Sequence, residues 1–163
     1  MSLQAITVIG HDRPGIIAET TRVLADLGLN LEDSTMTLLR GHFAMMLLCA
    51  GDTPSAEVEA ALAPLTADGT LTVAVREVPV EAGAEAVGAS YVLTVHGGDR
   101  PGIVSRVATE VAGVGGNITD LTTRLAGELY LLVAEVDLPA ATSAAAADLG
   151  VGVTLREVES DDL

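Results

Sequence analysis

Two short patterns hold the residue types that could grip a small charged molecule, and each occurs twice in the chain. The first is G-x-D-R-P-G, present as Gly10-His11-Asp12-Arg13-Pro14-Gly15 and as Gly97-Gly98-Asp99-Arg100-Pro101-Gly102. Each copy falls between a β-type run and a helix-type run. Glycine lets the backbone turn tightly, Asp12 or Arg13 is expected near the helix N-cap, and proline suits the first turn, where its missing N–H costs nothing. Free N–H groups and the positive helix end then face the loop. Such an end attracts an anion such as a carboxylate, and the guanidinium of Arg13 or Arg100 adds to the pull. The same residues also simply make a well-started helix.

The second pattern is Gly-x-Asn-aliphatic-x-Asp, present as Gly28-Leu29-Asn30-Leu31-Glu32-Asp33 and as Gly115-Gly116-Asn117-Ile118-Thr119-Asp120. Asparagine offers both a donor and an acceptor, and aspartate accepts from an ammonium group. This pattern opens a strand whose start is expected close to the first loop, so carboxylate capture and amine capture would lie side by side. In the plainer alternative, Asn30 and Asn117 only cap the preceding helix in a left-handed conformation. His11 and His96 each precede an aspartate, Asp12 and Asp99, which would suit a metal site or an acid–base pair. The two histidines are not at equivalent repeat positions, however, since His11 aligns with Gly98 and His96 with Ile9. No catalytic residue, metal ligand or cofactor is therefore assigned. His42 is expected in or beside a hairpin turn.

The elements that must position these residues follow from an internal repeat. The segment from Ile6 resembles the one from Leu93 without gaps for more than 40 residues, at an offset of 87. It aligns Gly28 with Gly115, Asn30 with Asn117 and Asp33 with Asp120. In the first copy, Leu3 to Gly10 is a β-type run, and Ile16, Thr20, Val23, Leu24 and Leu27 recur at helical spacing until Gly28. Leu29 to Leu39 alternates, Arg40-Gly41 turns, and His42 to Ala50 is apolar throughout, which together read as a β-hairpin. A helix then carries Val58, Ala61, Leu62 and Leu65, with Pro64 near its end or kinking it, and Thr70 to Val78 is a last strand. The second copy repeats the order, with strands near Tyr91 to Gly97, Asn117 to Leu125, Leu129 to Leu138 and Val151 to Val158. The fold class is α+β, two ferredoxin-like βαββαβ domains whose antiparallel sheets carry both helices on one face. Their expected limits are 1–79 and 91–163, joined by a linker over 80–90. The third strand is apolar at every position, so the second sheet face is expected to meet another copy, within the chain or between chains as a homodimer. Side-by-side pairing of the copies into one continuous sheet would also satisfy the open strand edges.

Composition removes several function classes. The 163 residues carry 8 basic and 23 acidic side chains, a net charge of −15, which argues against direct nucleic-acid binding. Phe43, Tyr91 and Tyr130 are the only aromatics, too few for base-stacking platforms. All basic residues are arginine, which excludes lysine Schiff-base chemistry and a P-loop lysine. No apolar run reaches membrane-spanning length and the first residues lack a leader's pattern, so a cytoplasmic protein without membrane contact is expected. Cys49, the sole cysteine, reads as a small apolar strand residue.

The paired strand-loop-helix with D-R-P-G, followed by NLEDSTMTLLRGHFAMMLL, resembles the ACT domain. The tandem arrangement without a catalytic domain is similar to the glycine-cleavage-system transcriptional repressor family. The resemblance covers essentially the whole chain, closely from Ile6 to Gly51 and weakly around Ala144 to Ala147. It implies a regulatory module rather than an enzyme, with an amino acid bound at the interface of paired ACT domains. By position, the ligand loop falls on Gly10 to Gly15 and Gly97 to Gly102, completed by Asn30-Leu31 and Asn117-Ile118. Both copies keep D-R-P-G, whereas the second copy in such repressors often departs from it. Either both bind or the second is kept for structure. A regulatory protein partner, reached by protein contact, and a role in amino-acid metabolism are further implications. The competing expectation is a ligand-independent interaction module acting on a metabolic enzyme.

Overall fold

Alternating burial along the central strands of each sheet shows which side chains the fold was built to cover. In the computed structural model, which describes residues 2–81, 88–139 and 152–158, the first half runs β1 (Ser2–His11), α1 (Ile16–Asp26), β2 (Asn30–Leu39), β3 (His42–Gly51), α2 (Ser55–Leu62) and β4 (Leu71–Val78). A 3-10 turn, Ala63–Thr66, follows α2 with Pro64 in its first positions, so the proline ends the α-helix rather than kinking it. The second half repeats the pattern as β5 (Ala89–Gly98), α3 (Ile103–Gly113), β6 (Asn117–Ala126), β7 (Leu129–Leu138) and β8 (Gly152–Glu157). The expected second helix of this copy, with Ala144 to Ala147, and most of the expected linker lie outside the described residues.

The chain divides into two compact units, Met1–Ala82 and Gly83–Leu163, each with a four-stranded antiparallel sheet. The strand orders are β2-β3-β1-β4 and β6-β7-β5-β8, the ferredoxin-like topology in both. In the first unit Ile6, Val8, Met45, Leu47 and Cys49 face the helices and join Ile16, Leu24, Val58 and Leu62 in one core. Leu93, Val95, Ile103, Val107, Leu132, Ala134 and Val136 form the matching core of the second. The buried Gln4 is fully engaged: its amide donates to Ser2 and Thr53, and it accepts from the Ser55 hydroxyl, which ties β1 to the start of α2.

The outer sheet faces carry apolar side chains in the open. Ile9 and Met46 are exposed in the first unit, as are Leu129, Leu131 and Val133 in the second. Strand β2 is exposed at all ten positions, so its helix-side residues Met36 and Leu38 are as open as Leu39 on the other face. The alternation of β2 thus marks pleating without burial inside its own unit. One irregularity recurs: β2 is bulged between Leu31 and Asp33, and β6 between Ile118 and Asp120. The extra residue, Glu32 or Thr119, resets the alternation. Asp33 therefore pairs with Leu48 on the outer face, although Leu31 pairs with the core-facing Cys49.

Candidate functional site

The D-R-P-G loop is held from both sides by the main chain. Asp12 N–H donates to the Gly41 carbonyl in the β2–β3 turn at 3.0 Å, and His11 N–H donates to the Thr70 carbonyl at 3.1 Å. Gly10 is required here because a Cβ would collide with that same Thr70 carbonyl and with Leu71. The N-cap of α1 is Gly15, in a left-handed conformation with φ 90° and no side-chain cap. Gly102 repeats this at φ 89°, and Asp99 N–H donates to the Glu128 carbonyl at 3.0 Å as Asp12 does to Gly41. Asp12 and Arg13 lie before the cap, so neither they nor Asp99 and Arg100 cap a helix. Pro14 and Pro101 sit in the turn ahead of Ile16 and Ile103 rather than in the first helical turn. A left-handed glycine offers no side chain to the first N–H groups, so in both units they stay uncapped at the positive helix end.

Arg13 turns toward its own unit. Its guanidinium lies 3.7 Å from the Glu19 carboxylate, and its Nε is buried without a hydrogen-bond partner. It also lies near the Asp68 corner. Both the hydroxyl and the N–H of Thr70 donate to Asp68 and hold that carboxyl below its ordinary range, with the Arg13 charge adding to the effect. Glu19, Asp68 and Thr70 were not singled out from sequence. The Asp68-Gly69-Thr70 turn was the available signal, and it places the carbonyl on which β1 ends.

The second pattern ends α1 and starts β2. Gly28 takes the left-handed position after the helix, and Leu29 N–H donates back to the Leu24 carbonyl, a Schellman closure. Gly115 and Gly116 repeat it. Asn30 and Asn117 are therefore not left-handed helix caps; they are the first strand residues, exposed at the sheet edge. Asp33 accepts from the Ser34 N–H at 2.9 Å and lines an open concavity of about 280 Å³ with Ser34, Thr35, Met46 and Leu48. The four residues besides Asp33 are additions to the sequence-based set.

The register corrects the expected closeness of the two patterns. Asn30 pairs with Ala50 and Ala50 with Leu3, whereas the D-R-P-G loop follows His11 at the far end of β1. At about 3.4 Å per residue, the patterns lie roughly 25 Å apart along the sheet. Asn117 and the Gly97–Gly102 loop are separated in the same way, through Asp137 and Ser90. A helix that crosses back over the sheet must start the next strand at the opposite end. Hence Gly10–Gly15 and Asn30, Leu31 and Asp33 do not converge within one unit, nor do Gly97–Gly102 and Asn117, Ile118 and Asp120.

Among the described residues no group of three or more His, Cys, Asp or Glu side chains could hold a metal ion, and no helix is long and apolar enough to cross a membrane. Cys49 is buried, and that burial, with the Glu32 charge, pushes its thiol up, as befits a packing residue.

Comparison with known proteins agrees with this topology. The ACT domain profile matches residues 4–76. A UPF0237 protein of Methanosarcina mazei is 36% identical over 64 residues, covering 39% of this chain and 70% of that protein. One from Methanopyrus kandleri is 50% identical over 48 residues, 29% of this chain and 53% of its own length. This chain spans about half the length of several curated relatives it matches. A solved structure of an unknown protein from Galdieria sulphuraria superposes with a TM-score of 0.79 at 27% identity, over 97% of this chain and 99% of that one. A structure provisionally named as a glycine cleavage system transcriptional repressor shares the fold, with a TM-score of 0.72 at 17% identity over 97% and 98% of the two chains. The chain belongs to the ACT-domain family.

Proposed function

We propose that the protein is a regulatory, non-catalytic module that binds a free amino acid where ACT domains pair. The observation that carries this reading is the register. The loop suited to a carboxylate and the strand start suited to an ammonium group lie at opposite ends of each sheet, so one zwitterion engages both only when the loop of one domain meets the β2 or β6 start of another. The ligand carboxylate would face the uncapped helix N-terminus beside Arg13 or Arg100. Its amine would face Asn30 and Asp33, or Asn117 and Asp120. The exposed edge strands and outer-face apolar residues supply surface for such pairing, within the chain or in a homodimer. Occupancy then biases pairing by its differential affinity, and the paired state is what a protein partner reads. Control of amino-acid metabolism, including glycine-linked transcription, is the assignment favoured by the family resemblance, with the partner rather than this acidic chain touching nucleic acid.

Affinity is bounded. Glycine has five heavy atoms, and a ceiling of about 1.5 kcal/mol per atom limits it to roughly micromolar binding, which suits a sensor of cellular pools. A thermal-shift screen of the standard amino acids at millimolar concentration is expected to raise the melting temperature for one or a few of them. Asn30→Ala should weaken that response without disturbing the loop, and combined Gly15→Asp and Gly102→Asp should abolish it. No response to any amino acid would overturn the reading.

A ligand-independent interaction module is the second reading. It is favoured by the Arg13–Glu19 contact and by the Asp33–Ser34 hydrogen bond, which already occupy two of the proposed ligand groups. A partner protein retained equally with and without every amino acid would select it.

A further inference from the structure

The register places two histidines side by side in the first unit that are 31 positions apart in the chain. His11, the last residue of β1, is the direct cross-strand partner of His42, the first residue of β3. Asp12 N–H donates to the Gly41 carbonyl, so Asp12 and Gly41 are a hydrogen-bonded pair. Alternation along an antiparallel ladder then makes His11 and His42 a non-hydrogen-bonded pair, the kind that brings side chains closest. Both face outward, because their neighbours Gly10 and Phe43 are on the helix side, and both are exposed.

The ring of His11 is oriented for lone-pair donation. Its Nδ1 lies 3.0 Å from the Asp12 carbonyl oxygen. A carbonyl only accepts, so this contact requires the proton on Nδ1, which leaves Nε2 as the free donor atom. Metal-binding imidazoles are commonly held by such a bond from the other ring nitrogen to a carbonyl. Among the described residues the His42 ring makes no hydrogen bond, so it can turn toward its neighbour. The net charge of −15 favours accumulation of cations around the chain.

We propose that His11 and His42 clamp a divalent d-block cation, with Zn2+ as the reference ion. The two imidazoles provide half of a tetrahedral ligand set, and water completes it, so the site is an exchangeable one rather than a folding staple. The second unit lacks it, since the aligned positions are Gly98 and Leu129. His96, the remaining histidine, pairs across β7 with Leu131 and serves as an internal control.

Calorimetric titration of the intact chain with Zn2+ in a non-coordinating buffer tests the clamp. One saturable site per chain is expected, lost in His11→Ala and in His42→Ala and retained in His96→Ala. Circular dichroism should show all three variants folded, as expected for exposed side chains. Long-range proton–nitrogen spectra should show the His11 Nε2 resonance shifting with Zn2+ while Nδ1 stays protonated. Absence of saturable binding, binding that survives His42→Ala, or equal loss in His96→Ala would overturn the proposal. The titrations contain no amino acid, so none of these results depends on ligand binding at the Gly10–Gly15 loop to which His11 belongs.

Discussion

The two units share a backbone and differ in what they hang on it. Gly15 and Gly102 have nearly the same left-handed φ, both helices start uncapped, and both loops are tied to their hairpin turns by the aspartate N–H. Around that common frame the charges diverge. Glu19 sits 3.7 Å from Arg13 in the first unit, whereas the aligned residue in the second is Arg106, exposed in the first turn of α3. The first helix start thus carries an acidic side chain where the second carries a basic one. The cores diverge as well: Leu47 fills the centre of the first, and the aligned residue of the second is Ala134. Duplication has kept the main-chain geometry of the helix start and released the side chains around it.

The largest effect expected from this contrast is in the cores. Leu47→Ala gives the first unit the residue that the second already carries, and it should cost about 3 kcal/mol in denaturant unfolding. A loss under about 1 kcal/mol would show that the first core tolerates the volume missing from the second. Next, Glu19→Arg should tighten binding of a carboxylate ligand a few-fold, and Arg106→Glu should weaken it by a similar factor. An exposed charge at a helix N-terminus is worth about 0.3–1 kcal/mol, and a half-exposed ion pair no more than about 1 kcal/mol. Unchanged affinity in both variants, read by titration, would assign the anion site to the main chain alone. The smallest effect belongs to Asp68. Its carboxyl is held below the ordinary range chiefly by the Thr70 hydrogen bonds, so its contribution is present above the unfolded value and is lost as pH falls through the folded one. Asp68→Ala should therefore lower the melting temperature slightly at neutral pH, and the difference should vanish in strong acid.

Element order, repeat and hairpin positions were legible because periodicity changes cleanly at Gly28 and Arg40-Gly41 in this sequence. The site was legible only as residues. Asn30 and Asp12 could be picked out by type, but the distance between them depends on which sheet end each strand starts from, and no local pattern states that. The N-cap was misplaced because a left-handed glycine does the work usually given to a polar side chain. Glu32 and Thr119 gave no local signal of bulging, although the repeat preserved the step. The His11–His42 pairing is hidden in the sequence for the same reason as the site geometry: alignment between copies sets each histidine against its counterpart, whereas the register sets it against the strand beside it.

The separation of loop and strand start along each sheet has a consequence for counting. Under the proposed pairing a ligand pocket would have joint ownership, and every domain would contribute to two such pockets, once with its loop and once with its strand. Damage to a single loop would then remove one pocket while the neighbour keeps its own. A lesion in one copy would appear as halved stoichiometry at undiminished affinity.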